Sequence, residues 1–128
     1  MKIREFKDID GDILVIKARK NAVFFEESKL RTSITHNYEF DEEAWKSLIE
    51  CLDGLARQSW ENFQSKEADS LGADYDSYWD KELDNEGNLT WTGRKLLFDK
   101  PDENNVRLYK FNKRKMESFI YDIGGIRA

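Results

Sequence analysis

Residues 34–45 run Ile34-Thr35-His36-Asn37-Tyr38-Glu39-Phe40-Asp41-Glu42-Glu43-Ala44-Trp45, and two periodicities meet inside them. Ile34, His36, Tyr38 and Phe40 alternate with polar residues, the period-two pattern of a strand with one buried face. His36 is therefore expected to point toward the core or its margin. Asp41 follows as a helix N-cap, with Glu42 and Glu43 in the first turn, where carboxylates suit the positive end of the helix dipole. Trp45, Leu48, Ile49, Leu52, Ala56, Trp60 and Phe63 then recur at three- and four-residue spacing. This spacing predicts a helix to about residue 65, with a propensity cost of roughly 1 kcal/mol at Gly54.

The same order recurs near the other end. Tyr109-Lys110-Phe111-Asn112 aligns without gaps on Tyr38-Glu39-Phe40-Asp41, and Met116, Phe119, Ile120 and Ile123 fall on Trp45, Leu48, Ile49 and Leu52. Upstream of the first copy, strands are expected over 3–9, 13–18, 23–26 and 32–40, with turns at Asp10-Gly11 and Lys20-Asn21. Upstream of the second, they are expected over 78–83, 89–98 with an interruption at Gly93, and 106–111, with turns at Asn85-Glu86-Gly87 and Pro101-Asp102. The final helix is capped by Asn112 and ended by Gly124-Gly125. The expectation is one α+β domain, 1–128, made of two pseudo-repeated halves, 1–65 and 77–128. Each is an antiparallel β-meander followed by a helix, and a polar connector, 66–76, joins them.

Composition narrows the function. The single cysteine, Cys51, has no internal partner, and its neighbours Leu48, Ile49 and Leu52 mark it as a small buried hydrophobe. With no apolar leader and no run long enough to span a bilayer, the chain is expected to be soluble, cytoplasmic and without membrane contact. The net charge of −5 and the pI near 5.0 disfavour a general polyanion binder. The charge is unevenly spread, however. Residues 67–86 hold Glu67, Asp69, Asp74, Asp76, Asp80, Glu82, Asp84 and Glu86 against Lys81, while the C-terminal stretch carries Arg107, Lys110, Lys113, Arg114, Lys115 and Arg127.

Four antiparallel strands and a helix, occurring twice, resemble the single-stranded DNA-binding fold of the PC4 coactivator and Whirly families. Glu86-Gly87-Asn88 followed by Thr92-Gly93-Arg94-Lys95 is similar to the turn and Gly-Arg-Lys segment of PC4, and Phe40-Asp41-Glu42-Glu43-Ala44-Trp45 to its strand-to-helix junction. Here the two segments lie in different halves, a departure from that family. The resemblance implies a nucleic-acid site in which Trp91, Arg94 and Lys95 on one strand act with Arg107, Tyr109 and Lys110 on the next, supplying stacking faces and phosphate-binding cations.

Catalytic and metal chemistry find little support. His36 and Cys51, the lone residues of their types, are placed by the pattern on a core-facing strand and a helix stripe, so packing roles are expected for both. Asp8-Ile9-Asp10-Gly11-Asp12 has the look of a calcium loop but lacks the closing acid, since Arg19 and Lys20 stand where a glutamate is wanted. No enzyme activity, metal or other cofactor is expected.

Two binding readings remain. The first is an acidic protein-binding or inhibitory module, of the immunity, antitoxin or phage-inhibitor kind, docking on a basic protein. Its contact residues are Asp74, Tyr75, Asp76, Tyr78, Trp79, Asp80 and Glu82, where aromatics interleave with carboxylates. The alternative is the single-stranded nucleic-acid binder, with the acidic region preventing indiscriminate binding.

Overall fold

The computed structural model describes residues 1–66, 77–80, 85–100 and 103–124, giving the backbone alone at 77–80, 85 and 86. Ten elements follow one another: β1 (Lys2–Lys7), β2 (Ile13–Arg19), β3 (Ala22–Glu27), β4 (Thr35–Glu39), α1 (Glu42–Ser59), β5 (Ser77–Asp80), β6 (Asn85–Thr92), β7 (Lys95–Asp99), β8 (Arg107–Phe111) and α2 (Lys113–Gly124). The architecture is α+β, with two antiparallel sheets and two helices, each helix following a group of strands. No helix among the described residues is long and apolar enough to cross a membrane.

The two sheets have the orders β1-β2-β3-β8 and β4-β7-β6-β5. Each half therefore keeps three strands and lends its fourth to the other half's sheet. β8 closes the β3 edge, with Val23 opposite Phe111 and Phe25 opposite Tyr109. β4 closes the β7 edge, with Tyr38 opposite Leu96 and His36 opposite Phe98. The repeated tetrapeptides begin on these exchanged strands and run past their ends, and Tyr38, Phe40, Tyr109 and Phe111 are all buried.

The two helix junctions share one capping geometry. The Asp41 carboxylate accepts from the Ala44 amide at 2.8 Å, and the Asn112 side-chain carbonyl accepts from the Lys115 amide at 2.8 Å. Each satisfies an amide of the first turn that has no intrahelical acceptor. The buried stripes Trp45, Leu48, Ile49, Leu52 and Met116, Phe119, Ile120, Ile123 then face a common core. α1 packs on β1, β2, β3 and α2.

Several boundaries differ from the sequence pattern for local reasons. α1 stops at Ser59 because Trp60 is extended (φ −130°, ψ 135°) and Asn62 has a positive φ of 55°. The apolar periodicity nonetheless continues, since Trp60 and Phe63 stack at 6.1 Å after the helix has ended. The expected long strand over 89–98 is a hairpin that turns at Gly93, whose φ of +59° suits a residue without Cβ. Asn85-Glu86-Gly87, expected as a turn, opens β6 and pairs with β5. The expected connector (beyond residue 66), the Pro101-Asp102 turn and Gly125 lie outside the described residues.

Phe25 is the centre of the core. Its ring meets Phe98 of the second sheet (5.5 Å, 90°), Phe111 on the lent strand (5.2 Å, 79°) and Phe119 of α2 (6.4 Å, 74°), all edge-on. Phe25→Ala is expected to cost about 3–5 kcal/mol in urea denaturation, because the cavity opens where both sheets and a helix meet. Gly54→Ala is expected to gain about 0.5–1 kcal/mol, since an added Cβ meets nothing within 4 Å.

Candidate functional site

The residues singled out by the sequence are dispersed. Asp74, Tyr75, Asp76 and Glu82 lie outside the described residues. Tyr78, Trp79 and Asp80 form part of β5, where they pair with Gly87, Glu86 and Asn85. The six residues implied by the resemblance divide between the sheets, because β7 and β8, consecutive in the chain, are not neighbours. Trp91 donates its indole N–H to the Gly93 carbonyl at 2.8 Å, Arg94 donates Nε–H to the Phe40 carbonyl at 3.0 Å, and Lys95 lies 3.4 Å from Glu39. All three belong to the second sheet and its hairpin. Tyr109 is fully buried, 4.6 Å from the Phe111 ring, so its aromatic face is committed to the core.

Arg107 and Lys110 take part in a different assembly, on the outer face of the first sheet. Leu14, Ile16, Ala18, Val23 and Phe25 point into the core, which leaves Val15, Lys17, Arg19, Phe24 and Glu26 on the opposite side. Cross-strand pairing aligns Ile3, Lys17, Phe24 and Lys110 in one row and Glu5, Val15, Glu26 and Arg107 in the next.

Simple alternation from Tyr109 and Phe111 would turn Arg107 inward. A register shift between Phe25 and Glu26 prevents this, setting Arg107 opposite Glu26 and leaving Leu108 as the extra residue, buried in the core. A bulge of this kind re-aims a side chain. Here it delivers a guanidinium to the outer face.

Phe24 is the centre of that face. The Arg107 Cζ lies 4.6 Å from its ring centroid, the Arg19 Cζ 5.1 Å and the Lys110 Nζ 5.9 Å. Although on the outer side, Phe24 is only 4 % exposed, with these three cationic side chains reaching over its ring. Each cation over an aromatic ring is worth about 0.5–2 kcal/mol, the more the drier the contact, and mutual repulsion among them opposes that gain. Glu26 supplies a local counter-charge through its ion pair with Lys17 at 2.9 Å. The arrangement is a cationic surface with an aromatic floor.

This surface is compatible with the acidic net charge. Residues 67–86 hold eight of the 26 acids and one of the 21 bases, so the rest of the chain carries two more bases than acids. Phe24 escaped the sequence reading because it sits within the apolar run Ala22-Val23-Phe24-Phe25, where the odd face alone belongs to the core. Its signal was its parity: it lies opposite Lys17 and Lys110 rather than opposite other apolar residues.

A second concentration of charge is buried at the junction of the sheets. Lys100 Nζ donates to Glu27 Oε1 at 2.9 Å and to the Arg31 carbonyl at 2.5 Å, and Glu27 Oε1 also accepts from the Arg31 amide at 3.1 Å. His36 Nε2 lies 2.8 Å from the Ser33 carbonyl and 3.1 Å from Glu27 Oε2. Two oxygens facing Nε2 assign the proton to that nitrogen. Burial holds His36 below its ordinary value, although Glu27 and the Ser33 carbonyl pull the other way. Burial also pushes the neighbouring Tyr38 phenol up to about 12.

His36 is thus occupied with Ser33 and Glu27, and the Cys51 thiol is pushed up by burial, which disfavours the thiolate a nucleophile needs. In the Asp8–Asp12 turn, the Asp8 carboxylate accepts from the amides of Asp10, Asp12 and Glu39 at 3.0, 2.8 and 3.4 Å. Those oxygens hold a hairpin together. Among the described residues, no cluster of three or more His, Cys, Asp or Glu side chains suits a metal.

Compared with known proteins, the chain matches no family model, no curated protein and no solved structure.

Breaking the buried pair from one side leaves a charge uncompensated. Lys100→Met is expected to cost about 3–5 kcal/mol at pH 7 by denaturant titration, and adding Glu27→Leu is expected to recover part of that loss.

Proposed function

We propose that the protein binds single-stranded nucleic acid on the outer face of the first sheet. The observation that carries this reading is the gathering of Arg19, Arg107 and Lys110 on Phe24. Guanidinium and ammonium groups recognise phosphate, and a base that displaces one of these side chains finds an aromatic face beneath it. An open sheet surface suits a flexible strand whose bases can be splayed out. The eight acids within residues 67–86 repel phosphate and so oppose indiscriminate binding. No chemistry on the bound strand is part of the proposal.

A second reading rests on the sequence of that acidic segment, in which Asp74, Tyr75, Asp76, Tyr78, Trp79, Asp80 and Glu82 combine aromatics with carboxylates. It makes the protein a docking or inhibitory module for a basic protein. The two readings use different residues.

Anisotropy titration of a labelled oligothymidylate at several salt concentrations separates them. Binding is expected at low salt, with the logarithm of affinity falling linearly against the logarithm of salt. Combining Arg19→Ala, Arg107→Ala and Lys110→Ala is expected to make that slope shallower by about 0.7 for each phosphate no longer neutralised. Unchanged affinity in the triple variant would overturn the assignment of the face. Absence of binding at low salt would leave the acidic segment as the site, with Asp74→Lys, Asp76→Lys and Asp80→Lys expected to abolish association with the basic partner.

A further inference from the structure

Three residues that come together at the sheet junction are far apart in sequence. Glu27 ends β3 in the first sheet, His36 lies on β4 in the second, and Lys100 follows β7 in the second. Their side chains are 0–1 % exposed. The loop between β3 and β4 is tied into the same cluster, through the Arg31 and Ser33 main-chain groups and through the Lys100 amide, which donates to the Ile34 carbonyl at 2.9 Å. The crossover that carries β4 out of the first sheet is therefore fastened at this junction.

With His36 neutral, the charges of Glu27 and Lys100 cancel and the cluster is neutral. A proton on His36 makes it net positive in a site without water contact, where such a charge is costly. The added N–H is on Nδ1, a buried atom with no partner among the described residues. The charged and titratable groups acting on the cluster do not remove either cost. Lys100 and Arg31 repel the proton, and Glu27 attracts it but is already neutralised by Lys100. Arg31 is itself paired with Asp12 at 2.7 Å, and the Tyr38 phenol carries no charge at these pH values.

We propose that Glu27, Lys100 and His36 form an acid-sensitive latch between the two sheets, closed while His36 is neutral and opened when it takes a proton. The sign follows from linkage. An unfolded histidine takes its proton near pH 6.5, while the folded one resists until lower pH. The closed state is unaffected above pH 6.5 and loses ground as pH falls below it, until the folded histidine also titrates.

The test is the folding equilibrium of the whole chain between pH 7.5 and 5, above the ordinary carboxylate range. Wild type is expected to lose up to about ten-fold in its folding constant for each pH unit below 6.5. His36→Gln keeps an N–H donor near the position of Nε2 and has no proton to gain, so its profile is expected to be flat. A variant profile that falls in parallel with wild type would overturn the proposal, as would a flat wild-type profile. Imidazole nitrogen NMR of the wild-type protein at pH 7.5 gives a separate reading. The neutral Nε2–H tautomer is expected, and an Nδ1–H tautomer or a protonated ring would overturn the latch.

Discussion

The exchange of β4 and β8 is the constraint on which the rest of this fold depends. A three-stranded meander ends in a third strand whose amides and carbonyls need partners along one edge, and an open edge invites pairing with other chains. Here β3 finds β8 and β7 finds β4, so each half supplies what the other lacks. Neither half completes its ladder or its core alone. Phe25 of the first half packs on Phe98, Phe111 and Phe119, all from the second. The arrangement also sets a kinetic condition. The first sheet cannot close until the chain has been made through Phe111, and long-range pairing of this kind slows folding.

The strand, cap and helix grammar was legible because each part is local. Tyr38 to Trp45 contains an alternation, an N-cap and the start of a stripe, and the same features in Tyr109 to Met116 gave the second copy. The exchange was not legible, since the pattern of β4 states which residues face inward but not which strand lies beside it. Alternation is the same for either neighbour. Helix length was overestimated for a related reason: Trp60 and Phe63 remain in the apolar period after Asn62 has taken a left-handed turn.

The candidate site was half legible. Of the residues that the resemblance implies, Arg107 and Lys110 both lie on the cationic face, but Tyr109 between them is core. The resemblance sets Trp91, Arg94 and Lys95 on the strand before theirs, and the exchange parts these consecutive strands into different sheets. Arg19 and Phe24 reach the face through β2–β3 pairing and parity. No amount of charge counting finds such residues without the register.

The final three residues of β3 bring these threads together. Phe25 points inward to the aromatic core, Glu26 outward to Lys17, and Glu27 inward again to Lys100 and His36. The register shift lies between the first two and turns Arg107 to the outside. Glu27 then ties down the residue just before β8, its amide donating to the Val106 carbonyl at 2.9 Å. The position of Arg107 over Phe24 is therefore bounded on one side by the core ring of Phe25 and on the other by the buried ion pair. A short strand with alternating side chains can serve core, junction and surface together only because the bulge in β8 decouples that strand's parity from its own. The cationic face is for that reason a product of the fold's most constrained strand, even though Arg19 and Lys110 on it are exposed.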